Sequence, residues 1–425
     1  MGRWIKFDIF FLVLLLIGYP IVGSIRVLFN INDNILSLVY RALYVIMALP
    51  ILFRRRRSQN VSPLAYKAIL AFFIVYSIRL VYDLLYREIP TYGNHDFSYF
   101  FFYAVFASFI PCLAVANIVI RPEDLPLLNR GLYYGFSIVG GVMLYAVSSQ
   151  SGTGINQLLS QRTAVQDEEG QNVVSGLLLS VYGSGLALLS FTYLFVSNGI
   201  LKKASTLITF VIGAALLLLG ASRLPVITLL LGIAIQSYKS RRSSKAHSLL
   251  LVIILMCGGL FVVLSANLEQ LALFQRLQAL QDESGLIRLK IWESALTDFV
   301  DHPFLGSQMF ERRIVFQYPH NIIIEIFMAT GMAGGVFFII YLYKVLRYFF
   351  KKLNYSAWLP VCIIFLNFFL FGLSSGAIYT SVQFWCLSML VLINPQIGTK
   401  RKTRSNAFPQ LHEVNQRLAS SQNAP

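Results

Sequence analysis

Three features of this sequence predict an all-α polytopic bundle of about twelve membrane-spanning helices, with one large external loop carrying an amphipathic helix. Of its 425 residues, 56% are hydrophobic and 13% charged, and the mean hydropathy is +0.66. A water-soluble domain of this size does not show that balance. The apolar residues fall in runs near the ~20 residues a helix needs to cross the hydrocarbon, where only a helix satisfies its own backbone. The charges are also sorted by side, with most of the 35 lysines and arginines in alternate loops and thus retained on the cytoplasmic face.

The spans predicted in order are 7–29, 35–53, 63–85, 97–120, 131–149, 174–196, 205–220, 224–238, 249–265, 322–345, 357–373 and 377–393. The first starts like a signal peptide, but its apolar run is long and no small-residue cleavage site follows, so it reads as a retained anchor. The seventh and eighth are short and flank Arg223, a spacing that suits one bent hairpin. With both termini cytoplasmic, the inner segments collect Arg54 to Arg57, Lys202, Lys203, the cluster at 239–245 and the tail at 400–404.

Residues 1–265 thus hold spans one to nine, 266–319 a large periplasmic loop, 320–393 spans ten to twelve, and 394–425 a basic cytoplasmic tail too polar to build a core. A second, shorter external segment at 150–172 carries Arg162 and the run Asp167, Glu168, Glu169. In the large loop, 286–299 places Leu289, Trp292, Leu296 and Phe299 on one stripe, with Arg288, Lys290, Glu293 and Asp298 largely off it. That pattern predicts an amphipathic helix lying on the membrane or capping the bundle, ended at His302-Pro303. No repeat occurs along the chain.

The net charge of +16 is what a basic inner surface produces, so no nucleic-acid partner is implied. Cys112, Cys257, Cys362 and Cys386 all fall inside spans without pairing and read as apolar filler. No paired carboxylates are spaced to hold a divalent metal, and no cofactor motif is present.

Two places could carry chemistry. The tenth span opens Tyr318-Pro319-His320-Asn321, with Glu325 one turn deeper and Gly331, Gly334 and Gly335 beyond, small residues expected to let another helix approach closely. His320 there could act as a general base or merely cap a helix at the interface. Ser222-Arg223 lies between two apolar runs, where an arginine either faces a cavity or snorkels. Arg26, Arg41 and Arg79 also sit toward outer span ends against the positive-inside trend, with Asp83 available to pair. They suggest an anionic ligand on that side.

The pattern His320-Asn321, nine residues, Gly331, two residues, Gly334 resembles the histidine motif of the O-antigen ligase and O-antigen polymerase family. Ser222-Arg223 before an apolar run resembles its first arginine motif, with Ile227 where leucine is common. Arg288-Leu289-Lys290-Ile291-Trp292 followed by His302-Pro303-Phe304-Leu305-Gly306 resembles its large loop. The motif order fits, and the resemblance covers the second half of the chain.

The resemblance implies a metal-independent, inverting glycosyltransferase that moves an undecaprenyl-pyrophosphate-linked glycan onto a sugar hydroxyl in assembly of a surface polysaccharide. The acceptor would be a lipid-linked repeat, the slightly preferred polymerase reading, or a lipid A core, the ligase reading, with a chain-length regulator as a further partner. His320 would be the base, Arg223 and Arg288 the pyrophosphate clamp, and Asn321, Arg162, Glu325, Arg79 and Trp292 the candidate binding set. A lipid-linked sugar flippase is the alternative, although transporters are usually built from two related halves and these halves differ.

Overall fold

Apolar runs of membrane length leave the backbone no choice but helix, and the computed structural model of the chain is helical almost throughout. It describes residues 2–29, 35–54, 61–86, 97–150, 165–166, 172–196, 200–239, 283–311, 313–314 and 318–393. The helices are α1 (Gly2–Leu28), α2 (Ile35–Leu52), α3 (Pro63–Tyr86), α4 (Phe97–Phe102), α5 (Ile110–Val115), α6 (Leu125–Gln150), α7 (Gly176–Val196), α8 (Ile200–Leu219), α9 (Arg223–Lys239), α10 (Glu283–Asp301), α11 (Ile322–Lys352), α12 (Leu359–Ser374) and α13 (Val382–Leu392). A π-helical segment, Tyr103–Phe109, joins α4 to α5, and a two-stranded antiparallel ribbon pairs β1 (Val165–Gln166) with β2 (Asn172–Val174).

The all-α class expected from composition is borne out. Among the described residues, nine helices are long and apolar enough to cross a membrane. They correspond to the first seven expected spans and the tenth and eleventh. The eighth is α9, of 17 residues, and the twelfth is α13, of 11; both are shorter than a full crossing. The ninth, 249–265, lies outside the described residues, as does the tail at 394–425.

Packing corrects two expectations. The seventh and eighth spans do not form a hairpin on each other. Instead, α8 and α9 both lie along α7, and the α7–α8 contact is close because Gly183 and Gly213 face each other: a Cβ on Gly183 would stand 2.7 Å from the Gly213 carbonyl oxygen. The glycines of α11 also serve the helix itself: it is broken at Gly331 (φ 57°, ψ −154°), and Cβ atoms at Gly334 and Gly335 would strike Thr330 and Phe327 of the same helix.

Across the bundle, buried polar pairs fix register where no water competes. Ser184 on α7 donates to Asn367 on α12 at 2.7 Å, and Asn367 donates to the Val181 carbonyl at 2.8 Å. An aromatic core of Phe72, Phe73, Phe109, Phe338 and Trp385 joins α3, α11 and α13. Cys112, Cys362 and Cys386 are buried and form no disulfide, as filler would be.

Candidate functional site

The break in α11 builds one wall of the site. At Gly331 the helix loses its own partners for a turn, and the segment 303–307 supplies them. Met332 N–H donates to the Pro303 carbonyl at 2.7 Å, Ala333 N–H to the Phe304 carbonyl at 3.0 Å, and Ser307 N–H to the Met328 carbonyl at 2.7 Å. Gly306 (φ 75°) and Gly331 (φ 57°) meet back to back. A Cβ on either would lie about 2.5 Å from the other segment's backbone, so both positions require glycine on conformation and on space. The loop and histidine motifs are thereby one structural unit.

Arg79 and Asp83 on α3 clamp that unit from the other side. Arg79 donates to the Gly306 carbonyl at 3.2 Å and pairs with Asp83 at 3.0 Å, and Asp83 accepts from Met309 N–H at 3.2 Å. The pair is almost fully buried. Removing one member takes its buried charge partner from the other, so Asp83→Ala should cost about 3 kcal/mol. The measurement is the thermal unfolding midpoint of the purified protein in detergent, with Arg79→Ala falling by a similar amount.

His320 sits just before α11 in a left-handed conformation (φ 57°), a strained position of the kind that concentrates at functional sites. Asn321 caps the helix, accepting from Ile323 and Ile324 N–H at 3.0 and 3.3 Å. Trp292 of α10 donates to the Pro319 carbonyl at 2.7 Å, which holds α10 against the His320 turn. Arg288, one turn before Trp292, bears electrostatically on His320.

The imidazole also bonds to the Ser375 backbone at the end of α12, and burial and the neighbouring guanidinium push its pKa down to about 4. Glu325 is fully buried and accepts from Ile378 N–H at 3.0 Å and Tyr76 Oη–H at 3.4 Å. It ties α3, α11 and the α12–α13 connection beneath the histidine.

Arg223 is the first residue of α9. Lys239, the last, lies beside Cys362 near the start of α12, so the two helices run antiparallel. Arg223 therefore stands at the Ser375 end of α12, the end where His320 sits. The turn before it packs on the start of α7, because a Cβ at Gly220 would collide with the Gly176 carbonyl and Ser180. Arg223, Arg288 and His320 thus share one end of the bundle. Arg162 lies outside the described residues.

The amphipathic helix is present as α10, and of the expected stripe Trp292 and Phe299 meet Pro319 and Phe327. Ile291 (2% exposed) and Ala295 (0%) face inward with Ser294 and Asp298, whereas Leu289 (57%) and Leu296 (48%) face outward. The inward polar groups are satisfied: Ser294 donates to Glu311 at 2.5 Å, and Asp298 pairs with Arg313 at 3.0 Å and accepts from Gln308 at 3.3 Å. Burial nonetheless raises the Asp298 carboxyl above its ordinary pKa.

This architecture defines a polytopic helical membrane protein with two arginines and a histidine at one end of its bundle. Residues 208–339 match the family model of the O-antigen ligase, which supports the resemblance carried by the motifs in the second half of the sequence. The match contains Arg223, Arg288, His320 and Gly331. No curated protein matches the chain.

Proposed function

We propose that the protein transfers a glycan from undecaprenyl pyrophosphate to a sugar hydroxyl on the outward face of the bacterial inner membrane. The observation that carries this reading is the gathering of Arg288 and Trp292 on the His320 turn at the start of α11, inside the segment that matches the O-antigen ligase. As the anomeric carbon–oxygen bond breaks, its electron pair leaves with the pyrophosphate. Arg223 and Arg288 stabilise that growing charge, because a guanidinium pairs two donors with phosphate oxygens. The acceptor hydroxyl attacks the anomeric carbon from the opposite face and gives its proton to His320. The configuration inverts and no metal is required.

The low pKa of His320 has a use in this scheme. Without donor, burial and, to a lesser degree, Arg288 keep the imidazole neutral and available as a base. Pyrophosphate on Arg288 cancels that repulsion and raises the affinity of His320 for the proton it must take. The neutral form exists above the pKa, so kcat/KM should stay level from neutrality down toward about 4 and fall only below it. The profile of kcat should break at a higher pH, since in the complex the imidazole is the stronger base. Rate profiles on purified protein with saturating and limiting donor check this.

A lipid-linked repeat as acceptor remains the preferred reading, which makes the enzyme a polymerase; transfer to a lipid A core would make it a ligase. The deciding experiment uses purified full-length protein in detergent with lipid-linked glycan. Longer lipid-linked chains are expected, whereas a flippase would leave the glycan unchanged because there is no membrane to cross.

A further inference from the structure

A second cationic site lies beside the first, on helices that the donor chemistry does not use. Arg41 of α2 sits in a cage of tyrosines: its guanidinium is 4.4 Å from the Tyr103 ring and 5.9 Å from the Tyr19 ring, with Tyr99 Oη at 3.5 Å. Among the described residues no ion pair includes Arg41, whereas Arg54, Arg79 and Arg313 each meet a carboxylate. Its Nε is buried without a hydrogen-bond partner. A guanidinium has five N–H donors. Ring faces attract its charge but accept few of those protons, so the cage holds a cation whose donors a doubly oxygenated anion would satisfy.

The cage is connected to the base by an unbroken file of aromatic rings. Tyr103 meets Tyr379 at 5.7 Å, Tyr379 meets Tyr318 at 6.0 Å, and Tyr318 meets His320 at 4.4 Å. Tyr103 opens the π-helical segment, a distortion frequent at functional sites. Ser108, in the same segment, donates to the Tyr379 carbonyl at 2.5 Å. Tyrosine presents an apolar face and a polar edge, as a sugar ring does.

We propose that Arg41 and its tyrosines bind the phosphate of the acceptor glycolipid, and that Tyr103, Tyr379 and Tyr318 carry the acceptor's sugars from that phosphate to His320. This rests on the transferase reading above and assigns its second substrate a place. The donor occupies the Arg223 and Arg288 side of the histidine and the acceptor the Arg41 side, so the attacking hydroxyl and the leaving pyrophosphate approach from different directions. Both acceptor chemistries in question, a lipid-linked pyrophosphate and a phosphorylated lipid A core, would satisfy the cage.

Lipid binding tests this apart from turnover. Full-length protein in nanodiscs is titrated with undecaprenyl pyrophosphate and, separately, with bisphosphorylated lipid A, and bound lipid is counted by native mass spectrometry. Two undecaprenyl pyrophosphate sites, one weakened about tenfold or more by Arg41→Gln, would support the proposal with a lipid-linked acceptor. One such site plus a lipid A site lost in Arg41→Gln would support it with a core acceptor.

Wild-type occupancy by both probes in Arg41→Gln overturns the proposal. If that variant does not elute as a single species, Arg41→Lys replaces it. Keeping the charge but not the fork should weaken the same site several-fold, and unchanged binding again overturns the proposal. Arg288→Gln separates the two claims: it should empty the other site only, and its failure to do so would sink the donor clamp while leaving the Arg41 site standing.

Discussion

His320→Ala is expected to lower turnover by roughly a hundredfold or more while leaving the protein folded. The side chain is not a pillar of the fold. Its bond to the Ser375 backbone and its ring contact with Tyr318 lie at the edge of the bundle, and the ties that hold the turn in place belong to others: Asn321 caps α11, Trp292 holds Pro319, and Glu325 joins three elements below. Truncation therefore removes a proton acceptor and leaves those ties in place.

Arg223→Ala and Arg288→Ala should each lower turnover comparably, because losing one donor aimed at a developing oxyanion costs on the order of a hundredfold. The histidine and arginine losses should also combine non-additively, since they serve one step. A deletion strain complemented with each variant at equal expression supplies the measurement. Full-length polymer from His320→Ala or Arg223→Ala would remove the proposed assignment of base and clamp.

The charged part of the site was legible in the sequence because charge inside apolar sequence is conspicuous. Arg223 between two hydrophobic runs and His320 at the mouth of a third stand out against neighbours that the bilayer forces to be apolar. The pairing of Arg79 with Asp83 follows from their i,i+4 spacing.

Backbone-mediated contact was not legible. Nothing in the side chains of Pro303 or Phe304 announces that their carbonyls will cap a helix restarting at Met332. The glycine at 331 suggested helix packing when it in fact serves a break. The partly polar inward face of α10 was not legible for a related reason. Ser294 and Asp298 look like solvent-facing residues until Glu311, Gln308 and Arg313 arrive from the following segment to satisfy them, and local periodicity cannot see partners supplied later in the chain. The Arg41 cage with its tyrosine file was invisible for a third reason. Its members come from residues 19, 99, 103, 318 and 379, and in a chain with 22 tyrosines no one of them is distinctive.

Gly331→Ala should be more damaging than its single methyl group suggests, and to stability before activity. At φ 57° and ψ −154° the backbone occupies a region that essentially only glycine enters, worth about 1–3 kcal/mol of strain for any other residue. The added Cβ would also lie 2.5 Å from the Gly306 nitrogen and 2.6 Å from the Phe304 carbonyl carbon and oxygen, contacts with backbone that no rotamer change relieves. Either α11 straightens and expels the 303–307 turn, or the turn moves and the N–H groups of Met332 and Ala333 lose their acceptors. Inside a membrane an unpaired backbone group costs several kcal/mol, with no water to replace the lost partner.

Both routes displace Gly306, which Arg79 holds, and with it the segment leading from α10 to His320. The expected result is a fall in the thermal midpoint larger than that of Asp83→Ala, together with loss of transfer. Gly306→Ala should behave alike, because its Cβ meets the Ala329 carbonyl at 2.5 Å across the same interface. Gly285→Ala, where a Cβ meets nothing within 4 Å, is the control and should leave both quantities unchanged. A Gly331→Ala protein with wild-type stability would mean that α11 is not broken there and that the loop does not dock into it.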